Sequence, residues 1–391
     1  MNTVILMIGV IANIINLIIF GRPKMRQNNM NVYLLALSFS DMGILVSSFF
    51  MLILPVLATL TKSVPLITIL KRPIPYVYPV ALIFQTMSVW ITVTMGLHRC
   101  LGIVFPIYCR RLHGRQSAIR AIAAVILFST CYNIPRLWAT VAEDCYCIEC
   151  QQWTVEVVPA NFRESQSYVM IYEAVLTNLI LFICPLCLLT GSSIAICQAI
   201  TKSRRFGASF KPSRPQSYGK ERFQKHHGQA STDRDVNLKA NLLLITVIMV
   251  FLICNIIPFT VNILEMIARF APVMSVSAQI AFAQIYYRIV DIGNTIIIIN
   301  ASANILIYIA FSPPFRAHFL QLRKNGQSTG MAGTMTAGDR NNRSKPRTPS
   351  TGNTVERQRL TTGLSREINS QGMPLFHWGH CKHGKTMETK S

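Results

Sequence analysis

The chain has 391 residues, of which 51% are hydrophobic and only 14% are charged, with 38 Lys or Arg against 16 Asp or Glu. A soluble globular domain usually carries about 25% charged residues, so this composition indicates a membrane protein and argues against a water-soluble domain.

Long stretches without Asp, Glu, Lys or Arg predict the membrane spans, because a spanning helix needs about 20 mostly apolar residues. Six such stretches are Met1–Gly21, Met42–Thr61, Pro73–Leu97, Ala174–Thr201, Ala240–Leu264 and Ile292–Phe315. A seventh, Ser117–Trp138, spans the bilayer if Arg120 and Arg136 extend to opposite faces. Asp41 lies inside the second helix, which would then begin near Asn31. We therefore predict an all-α membrane protein, a seven-transmembrane helix bundle.

The loops between spans differ in charge. The cations are Arg22, Lys24 and Arg26 after span one, Arg110, Arg111 and Arg115 after span three, and ten Lys or Arg within residues 202–239. Cytoplasmic loops carry such an excess, so these loops and the C-terminal tail are predicted to be cytoplasmic and the N-terminus extracellular. The cations of these loops and the tail account for the net charge of +22, and they would attract anionic membrane lipid. Nucleic acid is therefore not predicted as a partner.

The span pattern divides the chain into a membrane domain, residues 1–320, and a tail, residues 321–391. The third cytoplasmic loop, residues 202–239, and the tail are rich in Ser, Gly and charge, and we expect the tail to be disordered. Residues 311–324 read FSPPFRAHFLQLRK and suit a short amphipathic helix on the membrane after span seven, with a plain linker as the alternative. Met1 already lies within the first span, which favours a truncated N-terminus over a signal anchor.

Three cysteines cluster in the second outer loop. They are Cys145, Cys147 and Cys150 in the string DCYCIEC. Oxidation is permitted on the outer side of the membrane. Because three is an odd number, at most one disulfide can form among them and one thiol is left over.

Polar residues inside the spans are informative because each needs a partner or water. They are Asn13, Asp41, Ser88, Asn300 and Asn304, with Arg99 and Tyr308 toward the cytoplasm. GVIAN ending at Asn13, LLALSFSD ending at Asp41, His98-Arg99-Cys100 followed by Pro106, and NASANILIY over residues 300–308 resemble the motifs of the rhodopsin-like (class A) G-protein-coupled receptors. The resemblance covers all seven spans.

Several strings resemble a narrower group, the invertebrate FMRFamide-type neuropeptide receptors. They are YPVALIFQTMSVWITV in span three, YNIPRLW at residues 132–138, NFRESQSYVMIYEAVLTNLILFICP leading through span five, and CNIIPFTVNILE at residues 254–265. The resemblance implies a plasma-membrane receptor for a neuropeptide, RFamide-like, that transmits agonist binding to a heterotrimeric G protein. A sister group of peptide receptors stays open.

The resemblance also assigns roles to residues. Arg99, with His98 and Cys100, would couple to the G protein, and His98 stands where the family carries the acid that restrains this Arg. Weaker locking and raised basal signalling would follow. Asp41, Ser88, Asn300 and Asn304 would form a polar cluster able to hold a sodium ion at Asp41 and Ser88, with a hydrogen-bonded cluster as the alternative. Asn13 would bond nearby, and Tyr308 would move during activation.

The outer surface predicts the chemistry of the ligand. Residues 143–164 contain five acids and one cation, so an acidic entrance would attract a cationic peptide. A carboxylate can bind the Arg of an Arg-Phe-amide terminus through two hydrogen bonds. Glu173 and Glu265 are the candidates for that contact, and Gln85 on span three is a third ligand-binding candidate. An ordinary solvated acid is the alternative for each glutamate.

The chain departs from the family pattern at the outer end of span three, and other classes of protein are possible. Neither Ile74 nor its neighbours is a cysteine, so the usual bridge from span three to the outer loop cannot form. An orphan or small-molecule chemoreceptor of the same fold is the main alternative, and a secondary transporter is disfavoured because no inverted repeat is visible. A light sensor would need a lysine in span seven, and residues 289–315 contain none. An enzyme is not predicted, because no nucleophile, base and orienting group occur together in a soluble segment. Arrestin could bind a tail phosphorylated at Ser344, Thr348, Ser350 or Thr351.

Overall fold

The computed structural model describes residues 2–61, 63–105, 114–147, 151–209, 242–243, 245–264, 266–267, 276–323 and 381–383. Seven helices in these ranges are long and apolar enough to cross a membrane. We number them spans one to seven: Asn2–Phe20, Asn29–Ala58, Ile74–Val104, Arg115–Trp138, Tyr168–Lys202, Ile245–Leu264 and Gln284–Phe311. The prediction of a seven-transmembrane helix bundle is confirmed, and span two begins two residues before the expected Asn31.

The bundle has an apolar outside as well as an apolar core. Large side chains such as Ile8, Leu127 and Ile253 are more than half exposed on its outer face, which is the arrangement expected when lipid rather than water surrounds the helices. The core where spans one, two and seven meet contains Leu6, Ile44, Leu45, Ile53, Ile298 and Ala301.

Spans two and five contain proline, and each proline follows a π-helical turn. The π-helical turns are Phe49–Ile53 before Pro55 and Leu179–Ile183 before Pro185. Proline has no N–H to give to the carbonyl four residues earlier. The wider π-helical pairing lets that carbonyl reach the next N–H, so the helix continues through the proline. A longer π-helix, Tyr168–Leu176, opens span five and contains no proline.

The outer connections contain structure that the sequence analysis did not predict. A short helix, Val64–Lys71, lies between spans two and three. Strands β1 (Thr140–Cys147) and β2 (Gln152–Pro159) follow span four and pair antiparallel, with Thr140 opposite Pro159. Arg72 and Asp144 form a 2.7 Å ion pair near this hairpin, but both side chains are about 60% exposed, so it contributes little stability.

A third strand, β3 (Cys381–His383), pairs antiparallel with β1. Three spans separate β1 from β3 along the chain, so a bilayer across the bundle would place the two strands on opposite sides. This pairing is therefore incompatible with a bilayer around the seven spans.

The segment after span seven is helical over residues 313–323, as the amphipathic pattern predicts. The α-helical part of span five begins at Cys184, after the π-helical turns, and continues beyond Lys202 to Ser209. The remainder of the predicted third cytoplasmic loop, from residue 210, and the predicted disordered tail from residue 324 to residue 380 lie outside the described residues.

Candidate functional site

A buried carboxylate forms the centre of the bundle. The Ser88 hydroxyl donates to Asp41 Oδ1 over 2.9 Å, and Asn304 Nδ2 donates to Asp41 Oδ2 over 2.7 Å. All three side chains are more than 90% buried. Spans two, three and seven are thus joined at one residue, which agrees with three members of the predicted polar cluster.

The other predicted members occupy different positions. Asn13 is fully buried, and its Nδ2 donates to the Ala301 carbonyl over 2.8 Å and to the Gly9 carbonyl over 3.0 Å, so it joins span one to span seven. Asn300 is only half-buried, and the hydrogen bonds described for the cluster do not include it.

The end of span three that carries Arg99 makes a contact that the sequence analysis missed. His98 is buried, and its Nδ1 lies 3.0 Å from the hydroxyl of Tyr33 on span two. Arg99 and Cys100 are half-buried, and Cys100 is a free thiol. His98 therefore bonds to a phenol where the family pattern has an acid beside the arginine.

Tyr308 is fully buried near the same end of the bundle. Its ring packs edge-on against Phe20 with centroids 5.1 Å apart, and against Phe315 with centroids 5.7 Å apart. Its hydroxyl lies close to Ser38 on span two, so Tyr308 contacts spans one and two as well as the segment after span seven.

The candidates for ligand binding are only partly assembled at the outer end. Glu173 on span five accepts a hydrogen bond from Arg163 Nε over 2.9 Å, with both side chains 18% exposed. Gln85 is half-buried in span three. Glu265 lies outside the described residues. Glu173 is thus a carboxylate already bound to a guanidinium at the entrance of the bundle.

Arg136 was expected to extend to the membrane surface, and this expectation is wrong. A 3₁₀ turn, Ile134–Trp138, follows the α-helix of span four and turns the Arg136 side chain inward, where it is only 6% exposed. Its Nη2 donates to Thr177 Oγ1 over 2.9 Å, and its guanidinium carbon lies 5.2 Å from the centroid of the Tyr172 ring. Such a cation–π contact contributes about 2 kcal/mol when desolvated. Arg120, at the other end of the span, is exposed as expected.

The outer cysteines are partly accounted for. Cys145 is fully buried in β1 and forms a disulfide. Cys147 ends β1, and Cys150 lies outside the described residues. The first cysteine of the chain is Cys100, at the cytoplasmic end of span three, so no bridge ties the outer end of that span to the hairpin.

Together these contacts define a helical bundle with a polar centre that links spans one, two, three and seven, and with an ion pair at the end that carries Glu173. Such a bundle can exist in two packings that differ in which polar contacts are made, and a ligand or partner that prefers one packing shifts the equilibrium. This is the architecture of a seven-span membrane receptor.

Comparison with known proteins identifies the family. Residues 12–308 match the 7 transmembrane receptor (rhodopsin family). The chain belongs to this family, so it is a multi-pass membrane receptor and, as predicted, not an enzyme.

The individual relatives that match the chain share only 25% to 26% sequence identity with it. The chain is 26% identical over 322 residues to the FMRFamide receptor of Drosophila melanogaster, a match that covers 80% of this chain and 51% of that receptor. It is 26% identical to the FMRFamide peptide receptor frpr-18 of Caenorhabditis elegans, over 83% of this chain and 68% of that protein. A probable G-protein coupled receptor of the same organism, frpr-1, is 25% identical over 79% of this chain and 74% of that protein. The chain thus spans about half the length of the Drosophila relative.

Proposed function

We propose that this protein is a neuropeptide receptor of the plasma membrane, activated by a peptide that ends in Arg-Phe-amide and coupled to a heterotrimeric G protein. The N-terminus is extracellular and the C-terminus cytoplasmic. The names of two relatives, both FMRFamide receptors, support the ligand class. The five acids among residues 143–164 support a cationic ligand, because they attract it to the outer end.

The ion pair between Arg163 and Glu173 is the observation that carries the proposal. Its 2.9 Å hydrogen bond gives a partly buried carboxylate a guanidinium partner at the entrance of the bundle. A ligand Arg has the same guanidinium group as Arg163 and can replace Arg163 as the partner of Glu173. After this exchange the Glu173 carboxylate and the guanidinium of the ligand are still paired with each other. Glu265, which lies outside the described residues, is a second candidate for this contact.

Activation would change the packing at the cytoplasmic end. There Arg99 would contact the inserted G protein in the open state, while His98 and Cys100 flank it. Tyr308 would leave its place between Phe20 and Phe315 and move with span seven. Anionic lipid would attract the basic loops, and arrestin would bind the phosphorylated tail.

The polar centre can bind a sodium ion in the closed state. Asp41 provides a carboxylate, Ser88 a hydroxyl oxygen and Asn304 an amide oxygen, which are the hard oxygen ligands that such a cation prefers. The hydrogen bonds of 2.9 and 2.7 Å already hold these groups within reach of one another. Asn300 is half-buried in the same helix as Asn304 and would join the cluster only after a local rearrangement.

The experiment measures intracellular calcium and cAMP in cells that express the chain and are challenged with a panel of amidated Arg-Phe peptides. We expect a response that Arg99→Ala abolishes and Glu173→Gln weakens, with surface expression unchanged. Arg72→Gln is the matched control, because Arg72 and Asp144 form an exposed ion pair. Silence of the wild-type chain at the cell surface toward every peptide would reject the Arg-Phe-amide assignment.

A further inference from the structure

Arg136 carries a buried positive charge that no carboxylate neutralises among the described residues. The guanidinium carbon lies 5.2 Å from the centroid of the Tyr172 ring, and the phenol groups of Tyr78, Tyr132 and Tyr168 are close enough to interact with it electrostatically. Its hydrogen bonds to Thr177 and Tyr172 leave Nε without an acceptor among the described residues. A buried charge is normally paired, so this arrangement is costly unless an anion occupies the site in some state of the receptor.

Two further hydroxyl groups are buried without partners among the described residues, one on Tyr168, which interacts electrostatically with Arg136, and one on Thr140, four residues after Arg136 in the chain. Tyr168 packs with Tyr172 and with Ala139, the neighbour of Thr140 in the chain. Arg136 Nε and these hydroxyls are all able to donate, which is the set of groups that an anion requires.

We propose that Arg136, with Tyr168 and Thr140, binds a carboxylate of the peptide ligand. The Nε and Nη donors of an arginine match the two oxygens of a carboxylate. This inference rests on the proposed function. An Arg-Phe-amide terminus carries no carboxylate of its own, so the anion is the side chain of an Asp or Glu that precedes it. The ligand is then dipolar, with its Arg at Glu173 and its acid at Arg136.

The helix that covers Arg136 is built to admit such a group. Tyr168–Leu176 is π-helical, and nothing comparable to Pro55 or Pro185 requires it. π-Helical turns are uncommon and occur frequently at functional sites. A change of this segment to α-helical pairing would rotate Tyr168 and Tyr172 relative to the rest of span five and uncover the guanidinium.

The first test uses pairs of amidated hexapeptides ending in Arg-Phe-amide, with Asp or Asn at one preceding position. For at least one position we expect an EC50 about tenfold lower with Asp at the wild-type receptor, the effect of one charge-assisted hydrogen bond. Arg136→Gln should bring the ratio of the two EC50 values to about one, and the control Arg72→Gln should leave it unchanged. No preference for Asp at any position, or a preference that persists in Arg136→Gln, would overturn the inference.

The second test needs no agonist. The thermal midpoint of the purified receptor in detergent is measured in sodium acetate and in acetamide with sodium chloride at the same ionic strength. Acetate should stabilise the wild type more than Arg136→Gln, because it binds the folded site. Arg136→Lys keeps the positive charge but loses the paired N–H donors of the guanidinium. Its thermal midpoint should therefore respond less to acetate than that of the wild type. Equal shifts in all three proteins would overturn the anion site, even if every peptide is silent and the proposed function itself fails.

Discussion

The hydroxyl of Tyr33 lies 3.0 Å from Nδ1 of His98, and their rings meet edge-on with centroids 5.6 Å apart. The contact joins spans two and three next to Arg99. It is a hydrogen bond between two buried side chains rather than an ion pair. The end of span three is thus tied to its neighbour even though it lacks the acid that the family pattern places there.

Tyr33→Phe should raise signalling in the absence of agonist. The substitution keeps the ring contact with His98 and removes only the hydrogen bond, which is worth about 0.5–1.5 kcal/mol. If the bond exists only in the closed packing, the open population increases up to about tenfold. The measurement is basal calcium and cAMP, normalised to surface expression. Tyr76→Phe is the matched control because Tyr76 is 69% exposed at the other end of span three.

Unchanged basal signalling in Tyr33→Phe would mean that the Tyr33–His98 bond survives activation. The bond would then stabilise both packings equally and would not restrain the receptor.

His98→Asp should have the opposite effect. It places a carboxylate beside Arg99, and an ion pair between neighbours in a half-buried site favours the packing that contains it. Basal signalling should fall below that of the wild type, and the EC50 of an active peptide should rise. His98→Asn, which has a similar size and no charge, is the control. Equal effects of Asp and Asn would attribute the change to loss of the Tyr33 contact.

The sequence predicted the spans and part of the polar centre. Charged residues are rare enough within the membrane that their absence marks six of the seven helices, and Asp41, Ser88 and Asn304 could be identified because they are polar in apolar surroundings. Their contacts with one another then followed from the family resemblance.

The rotation of a side chain about its helix could not be predicted in the same way. Because Arg136 lies near a span end, its position predicts a surface residue, and only the 3₁₀ turn Ile134–Trp138 directs it inward. Tyr33 offered no signal, since a tyrosine near a membrane boundary is common. The β1–β2 hairpin was missed because its strands carry charged residues and β1 contains two cysteines of the cluster.

Asp41→Asn should remove the response of the receptor to sodium. Asparagine keeps the size of Asp41 and can still bond to Ser88, but it lacks the negative charge that a cation requires. The thermal midpoint of the purified wild type should be higher in sodium chloride than in N-methylglucamine chloride, because binding stabilises the folded state. The midpoint of Asp41→Asn should be the same in both salts. Asp144→Asn, an exposed substitution, is the control, and a sodium effect that survives in Asp41→Asn would place the cation elsewhere.

Arg163→Gln should make the receptor more sensitive to an Arg-Phe-amide peptide, whereas Glu173→Gln should make it less sensitive. The first substitution removes the guanidinium that competes for Glu173, and the second removes the carboxylate itself. For a partly buried pair we expect changes of about tenfold in EC50, in opposite directions. A double variant should behave like Glu173→Gln alone. Reduced sensitivity in both single variants would show that the ion pair positions span five and does not bind the ligand.

Gly9→Ala should destabilise the bundle more than a similar change elsewhere. A Cβ at Gly9 would overlap the hydroxyl of Ser302 on span seven and approach Leu45 on span two, and overpacking of this kind typically costs about 1–3 kcal/mol. The same helix places Asn13 on the Ala301 carbonyl, so separation of spans one and seven would lengthen that 2.8 Å bond as well. Gly191→Ala on span five is the matched control, because a Cβ there meets no atom within 4 Å. The thermal midpoint of the purified protein should fall in Gly9→Ala and stay unchanged or rise in Gly191→Ala. Equal midpoints would mean that span one is free to shift away from span seven, and the contact between Asn13 and Ala301 would then contribute little to the stability of the polar centre.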